Sequence, residues 1–368
     1  MKAFAIMALA TWVALALAAP AAANTLPNIT DVVVTACGDS LHIAYDVSDP
    51  DGDTMDVILY VAGSDVTISA DAPGVTGDIG PGIESGPGRT ISIDAAAAGL
   101  GAQGPFVPRL LAYDGTGYGA EMVAVQSVGG PDFLIDRYEV TNQQFAAFMR
   151  SDGYERMEFW IIDDGSLDIE ETGWNYAGRF RWTAPHHWDP SAEPPWSTDT
   201  KSGAASSPVL GISWFECYAY CKWAGHRLPT SSEWHEAAGL REATYPWGDS
   251  QSEGQTLPGF ELANIKYGHA GYSFGEFSSD GFEFAAPVGY YSPQGDSPLG
   301  LADAFGNVWE WCLDAVTVVN YGTYSCATRP LRGGSWATSA AELGKPFKDL
   351  CPLYRIDTAG FRCAADAR

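Results

Sequence analysis

Asp303 and Glu310 flank a glycine-containing turn in the segment Gly300–Trp311, GLADAFGNVWEW. A tight turn of this kind can aim backbone carbonyls and carboxylate oxygens at one point, the donor arrangement a hard cation such as Ca²⁺ requires. Read alone, the segment is more readily a polar loop. Cys217 and Cys221 stand four residues apart in GISWFECYAYCKWAG. On a helix they share nearly one face and could hold a soft metal such as Cu(I) or Zn²⁺. His186, His187 and Asp189 in the run HHWD could form a metal pair or be surface polar residues. Asp49–Asp53, DPDGD, is either a calcium-binding cluster or a polar turn between strands. The remaining enzyme signatures fare worse. No G-x-S-x-G elbow and no P-loop appears among the 368 residues.

The elements expected to position these groups divide into two parts. Residues 25 to about 128 alternate apolar and polar positions in ITDVVVTA, SLHIAYDV, MDVILYVA, TISIDA and FVPRLLAYD, with Asp, Gly and Pro clusters between. This pattern predicts an antiparallel β-sandwich of the immunoglobulin or fibronectin-III kind over residues 24–128. Val128–Asp132, VGGPD, is the expected joint. Beyond it the signals are helical but few. Thr141 with Gln144, Ser213 with Glu216 and Thr230 with Glu233 each fit a capping box, predicting helices over about 141–151, 213–225 and 230–239. Gly225 and Gly239 are the expected stops of the second and third. The rest is irregular, and Glu158–Ser207 reads as a surface excursion. Eleven of the thirteen tryptophans lie between Trp160 and Trp311, so aromatic packing is one available pin for such long loops.

Composition narrows the setting. Residues 1–23 read as a secretory signal peptide, with Lys2, an apolar Ala3–Ala19 and an Ala21-Ala22-Ala23 cleavage site; an uncleaved anchor is the alternative. No later stretch approaches the roughly 20 apolar residues of a membrane span. An exported, soluble protein is therefore expected. The net charge of −26 argues against nucleic-acid partners. Seven cysteines in an exported chain favour disulfides, and the odd count leaves at least one unpaired within the chain. Cys37, alone in the first part, reads as a small buried hydrophobe.

Six phrases in the second part carry a family likeness. They are Phe133–Phe145 (FLIDRYEVTNQQF), Gly211–Trp234 (GISWFECYAYCKWAGHRLPTSSEW), Tyr245–Asp249 (YPWGD), Gly300–Trp311, Leu331–Trp336 (LRGGSW) and Gly360–Ala364 (GFRCA). In this order, over residues 132–368, the chain resembles the formylglycine-generating enzyme family, also called the sulfatase-modifying-factor domain. The resemblance implies a compact, loop-rich, C-type-lectin-like α+β fold. It implies one calcium held by the Asp303 side chain, the Gly306 and Val308 carbonyls and Glu310, where the family pattern has Asn in place of Asp303. It implies a second calcium at Asn264, the Ile265 carbonyl, Asp280 and the Phe282 carbonyl, and a Cys221–Cys363 disulfide. A bridge closing so long a loop would be worth about 4–5 kcal/mol by the chain-entropy model. Ser335, Trp336 and Trp309 would line the groove, with much of Trp309, Trp311 and Trp336 in core packing.

The resemblance fails at one point. The family oxidase follows its Gly-Gly-Ser phrase with two copper-binding cysteines spaced C-x4-C; those positions fall here on Thr338 and Leu343. A hydroxyl and an isobutyl group offer no soft ligand for Cu(I). The H-x3-H-x-E signature of the family's iron-dependent relatives does not occur either. The expected function is thus a secreted, calcium- and disulfide-stabilised module without a copper centre or catalytic residues, binding a peptide, glycan or protein in the groove. The alternative is an oxidase of the formylglycine-generating type that uses Cys351 and another thiol, or a related oxidase with other ligands.

Overall fold

A computed structural model describes residues 25–63, 66–98, 107–162, 173–196, 203–240, 262–265, 282–320, 325–338 and 348–367. The expected signal peptide, the YPWGD phrase, Asp280 and Leu343 lie outside them.

The alternating runs of the first part form strands. They are β1 (Asn28–Cys37), β2 (Ser40–Ser48), β3 (Met55–Val61), β4 (Thr67–Ile68), β5 (Val75–Gly77), β6 (Gly80–Ile83), β7 (Gly86–Asp94), β8 (Pro108–Tyr113) and β9 (Tyr118–Ala120). One antiparallel sheet has the order β1-β2-β7-β5; a second has β4-β3-β8-β9, with β6 also on β3. Their inward positions share one cluster, including Ile43 and Tyr45 of β2, Val57 and Leu59 of β3, Ile91 and Ile93 of β7, and Leu110 of β8. The period of two in each strand makes such a shared core possible. Asp49 Oδ1 accepts from the Asp51 and Gly52 N–H groups at 2.7 and 3.1 Å, so DPDGD forms a polar turn between β2 and β3. Cys37, expected to be buried, is exposed at the end of β1.

The two parts share hydrogen bonds. Strand β10 (Met122–Val125) pairs antiparallel with β11 (Phe133–Asp136) across the Val128–Asp132 joint, and β11 pairs on its other side with the C-terminal β18 (Ala364–Asp366). Arg137 then bridges Glu121 at 2.8 Å and Asp296 at 2.9 Å. His226 Nε2 lies 2.9 Å from Asn28 Oδ1 on β1.

Burial pushes the His226 imidazole down to about 4 from 6.5. The unfolded chain therefore binds more protons between those values, and this histidine's contribution to stability falls as pH drops through that window. The loss is about 3 kcal/mol at full desolvation, less with the ring's residual exposure. Buried Asp136, raised to about 7, acts with the opposite sign, since its penalty is relieved on acidification. Denaturant titrations from pH 7 to 4 are thus expected to show the stability advantage of the parent over His226→Gln shrinking as pH falls. A pH-independent difference would contradict the burial of this ring.

All three capping boxes form, and they fix the helices α1 (Asn142–Arg150), α3 (Trp214–Trp223) and α4 (Ser231–Ala237). Gly225 and Gly239 follow the last two at φ +74° and +73°. Glu216 holds the Ser213 N–H and hydroxyl through Oε2, while its Oε1 receives Tyr154 Oη at 2.5 Å and Arg355 at 2.7 Å. The largest core cluster surrounds α1 and α3. Phe145 stacks on Tyr220 with centroids 5.6 Å apart, and Arg329 sits 4.0 Å from the Trp214 ring centroid.

Glu158–Ser207 is not a surface excursion in its described portions. It contains α2 (Gly173–Phe180) and sends Phe159, Trp160, Ala177, Trp188 and Trp196 into the same core. The Gly/Pro/Asp background of this segment hid that apolar content, which has no helical or strand period. The remaining strands are β12 (Trp309–Trp311), β13 (Val318–Asn320), β14 (Ser325–Ala327), β15 (Arg329–Arg332), β16 (Lys348–Leu350) and β17 (Ala359–Gly360). Four of them build the sheet β16-β15-β12-β17, in which β17 runs parallel to β12.

Candidate functional site

The turn before β12 is the centre of the site. Gly306 and Asn307 both adopt left-handed backbone, φ +80° and +52°, and Asp303 does so at +52°. Asn and Asp tolerate this region better than other side chains. The turn presses on the Asn264 loop so closely that a Cβ on Gly306 would lie 2.3 Å from the Asn264 carbonyl oxygen. Asn307 stitches the loops together. Its N–H donates to the Asn264 carbonyl at 2.7 Å, its Oδ1 accepts from Ala286 N at 2.9 Å, and its Nδ2 donates to Glu139 Oε1 at 3.0 Å. Sequence reasoning passed over Asn307. The available signal was the Gly-Asn pair, a strong left-handed turn former.

Behind this turn lies a buried acid cluster with a central cation. Arg362 Nε and Nη2 donate to Glu310 at 2.6 and 2.7 Å, and its other bonds go to the carbonyls of Asp136, Arg137 and Ala302. Trp234 Nε1 adds a 2.8 Å bond to Glu310. Burial opposes the charge of Arg362, but Glu310, Glu139 and Asp303 outweigh it and keep the guanidinium protonated. Burial pushes Asp303 up to about 6, against the Gly289 N–H that donates to it at 2.6 Å. Burial and the neighbouring Asp303 carboxylate push Glu139 well above the ordinary carboxylate range. The two acids are both pushed toward the protonated form, so this pair holds a proton more readily than two separate carboxylates would.

These contacts test the expected calcium ligands. Glu310 Oε2 accepts from Arg362 and Trp234 and its Oε1 accepts from Arg362, so in the expected quartet Asp303, Gly306, Val308 and Glu310 a cation would share this residue with a buried guanidinium. A cation there would compete with a buried guanidinium. Asn264 fits better. It is buried, its Nδ2 donates to the Phe284 carbonyl at 2.8 Å, and its Oδ1 has no hydrogen-bond partner among the described residues. A buried amide oxygen without a donor suits a hard cation. Ile265 and Phe282 lie on the two segments that Asn264 joins.

The groove residues follow from β12 and β15. Trp311 is fully buried, whereas Trp309 and Trp336 are half-buried. Trp336 packs on Leu210, Ala285 and Val308, edge-on to Phe284 at 5.2 Å. Its indole Nε1–H is shielded from solvent and has no partner among the described residues. At the first copper position, Thr338 is buried in a turn with Ser335. The Ser335 N–H donates to Thr338 Oγ1 at 3.0 Å, the two hydroxyl oxygens lie 3.2 Å apart, and Thr338 N–H returns to the Ser335 carbonyl at 2.8 Å. This side chain is a hydroxyl held by its own turn.

The thiols are elsewhere. Cys221 and Cys363 approach to 3.4 Å between sulfurs, at the junction of α3 and the C-terminal segment. Burial pushes both up, along with Cys217 and Cys312, so none is poised as a thiolate. Cys351 is buried in the turn after β16. The His186–His187 pair is joined by Asp357, not by Asp189, whose carboxylate instead caps Ser191. Among the described residues no helix is long and apolar enough to cross a membrane.

The helix caps, the Gly306–Asn307 turn and the Arg362–Glu310 pair all lie within a match to one family, the sulfatase-modifying factor enzyme 1-like domain, over residues 96–367. The chain belongs to this family. It is 34% identical to the formylglycine-generating enzyme of Thermomonospora curvata, over 66% of this chain and 84% of that protein. It is 31% identical to the inactive C-alpha-formylglycine-generating enzyme 2 of Mus musculus, over 64% of this chain and 75% of that one. Hercynine oxygenase of Mycolicibacterium thermoresistibile is 33% identical over 64% of this chain, which spans about half, 51%, of that protein. The family therefore holds both active and inactive relatives.

Proposed function

We propose that this chain is an exported, non-oxidase member of the family that binds a peptide, glycan or protein in the groove beside Ser335, Trp336 and Trp309. One observation carries the reading. The position where the family oxidase carries its first copper cysteine holds Thr338, a hydroxyl already satisfied within a Ser335 turn. The indole N–H of Trp336, without a partner among the described residues, supports a binding role, because it is a donor that a ligand oxygen would satisfy. The expected calcium would be held by Asn264 and the Ile265 carbonyl, with Asp280 and the Phe282 carbonyl. It would supply a pin for loops of little regular structure. A Cys221–Cys363 bridge would anchor α3 to the C-terminus, and the N-terminal immunoglobulin- or fibronectin-III-like sheets would space or present the groove.

Anaerobic titration with Cu(I) against a competing chelator tests the reading. The expected outcome is no tightly held Cu(I), while Ca²⁺ binds and its chelation lowers the unfolding midpoint. Stoichiometric Cu(I) at the groove would end it. The second reading, an oxidase with other ligands, draws on the identity to a formylglycine-generating enzyme. Its route through Cys351 predicts that Cys351→Ser abolishes aldehyde formation on a Cys-x-Pro-x-Arg peptide; unchanged activity removes that route.

A further inference from the structure

We infer that His186, His187 and Asp357 form a binding site for a divalent ion of borderline softness, the Zn²⁺ and Co²⁺ class. The loop of residues 184–188 and the loop of residues 355–359 are far apart in sequence, and the fold brings their donors together. His187 Nε2 lies 2.9 Å and His186 Nδ1 3.7 Å from Asp357 Oδ1. One donor atom from each residue falls within 4.8 Å of the others. Tetrahedral zinc holds nitrogen and oxygen ligands at about 2.0–2.2 Å, hence about 3.4 Å from one another. Small side-chain rotations suffice to reach that spacing.

The backbone under the three donors is fixed from both sides. His186 N–H donates to the Gly211 carbonyl at 2.8 Å, and Gly211 N–H donates to the Ile356 carbonyl at 3.2 Å. Ile212 bridges Ile356, and Thr358 accepts from Trp309 N–H at 2.8 Å. Gly211, at φ +65°, allows the close approach, since a Cβ there would meet His186 at 3.0 Å. The two imidazoles are neighbours, with centroids 3.9 Å apart, and would part slightly to take one ion between them. Their partial exposure leaves an approach for the ion and a fourth position for water. Two imidazoles and one carboxylate favour Zn²⁺, Co²⁺ or Ni²⁺ over Ca²⁺, which prefers oxygen throughout, and over Cu(I), which prefers sulfur. This site is separate from the Asn264 loop, and its proposal does not rest on the groove reading.

The test is a Co²⁺ and Zn²⁺ titration of the full chain in the presence of Ca²⁺, read by the ligand-field absorption of Co²⁺ and by a competing chromophoric chelator. One equivalent is expected, with the strong visible bands of four-coordinate cobalt. His187→Asn tolerates the left-handed backbone at φ +75°, and His186→Gln changes an exposed ring. Each, like Asp357→Asn, is expected to weaken binding by more than the roughly tenfold that outer-shell losses cost. His42→Gln, in the first part of the chain, is expected to change nothing. Absence of binding by the parent, or binding unchanged in the three variants, overturns the proposal.

Discussion

Arg362→Met is expected to remove about 3–5 kcal/mol of folding stability, the usual consequence of orphaning one member of a buried ion pair. Arg362 is fully buried, and it is the cation against which Glu310, Glu139 and Asp303 all act. Its removal leaves Glu310, among the described residues, with the single side-chain donor Trp234 and leaves three carbonyls, of Asp136, Arg137 and Ala302, without their guanidinium. Glu310 would then have to take up a proton to stay buried. A domain is stable by only about 5–15 kcal/mol, so the variant should lose a large part of its margin. Denaturant unfolding measures this directly. A companion Arg362→Met/Glu310→Leu chain separates the ion pair from general packing. It should recover much of the loss, whereas equal instability of the single and double variants would mean that the pair itself contributes little.

Asn307→Ala is expected to cost about 3 kcal/mol and to loosen the groove. An alanine at φ +52° adds roughly 1 kcal/mol or more of backbone strain. Losing the side chain leaves Ala286 N–H without its acceptor and Glu139 Oε1 without its donor, and a buried unsatisfied group costs about 1–3 kcal/mol. Asn307→Gly relieves the strain but not the lost bonds, so it should be intermediate. Unfolding midpoints and the fluorescence of the nearby Trp336 follow both effects. A variant as stable as the parent would show that the two loops are held by something other than this amide.

The helices were legible because their signals are local. Thr141, Ser213 and Thr230 each precede a Gln or Glu at the capping distance, and all three boxes form. The strands of the first part were legible for the same reason, through a period of two in runs such as SLHIAYDV. The resemblance phrases pointed to the loops around Gly306 and Ser335, yet it could not show what each carboxylate touches. Glu310 read only as a calcium ligand; the fold also pairs it with Arg362, which the GFRCA phrase carried beside the more conspicuous Cys363. Asp357 was invisible as the partner of His187 because nothing in RIDTAG marks it, and the contact spans 170 positions. Trp188 and Trp196 looked like surface residues because the run around them has no period, although both are buried. Contacts made by irregular loops depend on where distant segments arrive, and that information lies outside any local window.

Thr338, a hydroxyl turned into Ser335, offers Cu(I) no soft ligand where the family oxidase carries a cysteine. Incubating the full chain with copper, oxygen, a reductant and a Cys-x-Pro-x-Arg peptide, and reading aldehyde by mass spectrometry, tests this most directly. No peptide aldehyde above the protein-free control is predicted, with copper or without. Copper-dependent conversion of the peptide cysteine, turning over more than once per chain, would show that the chain is an oxidase after all.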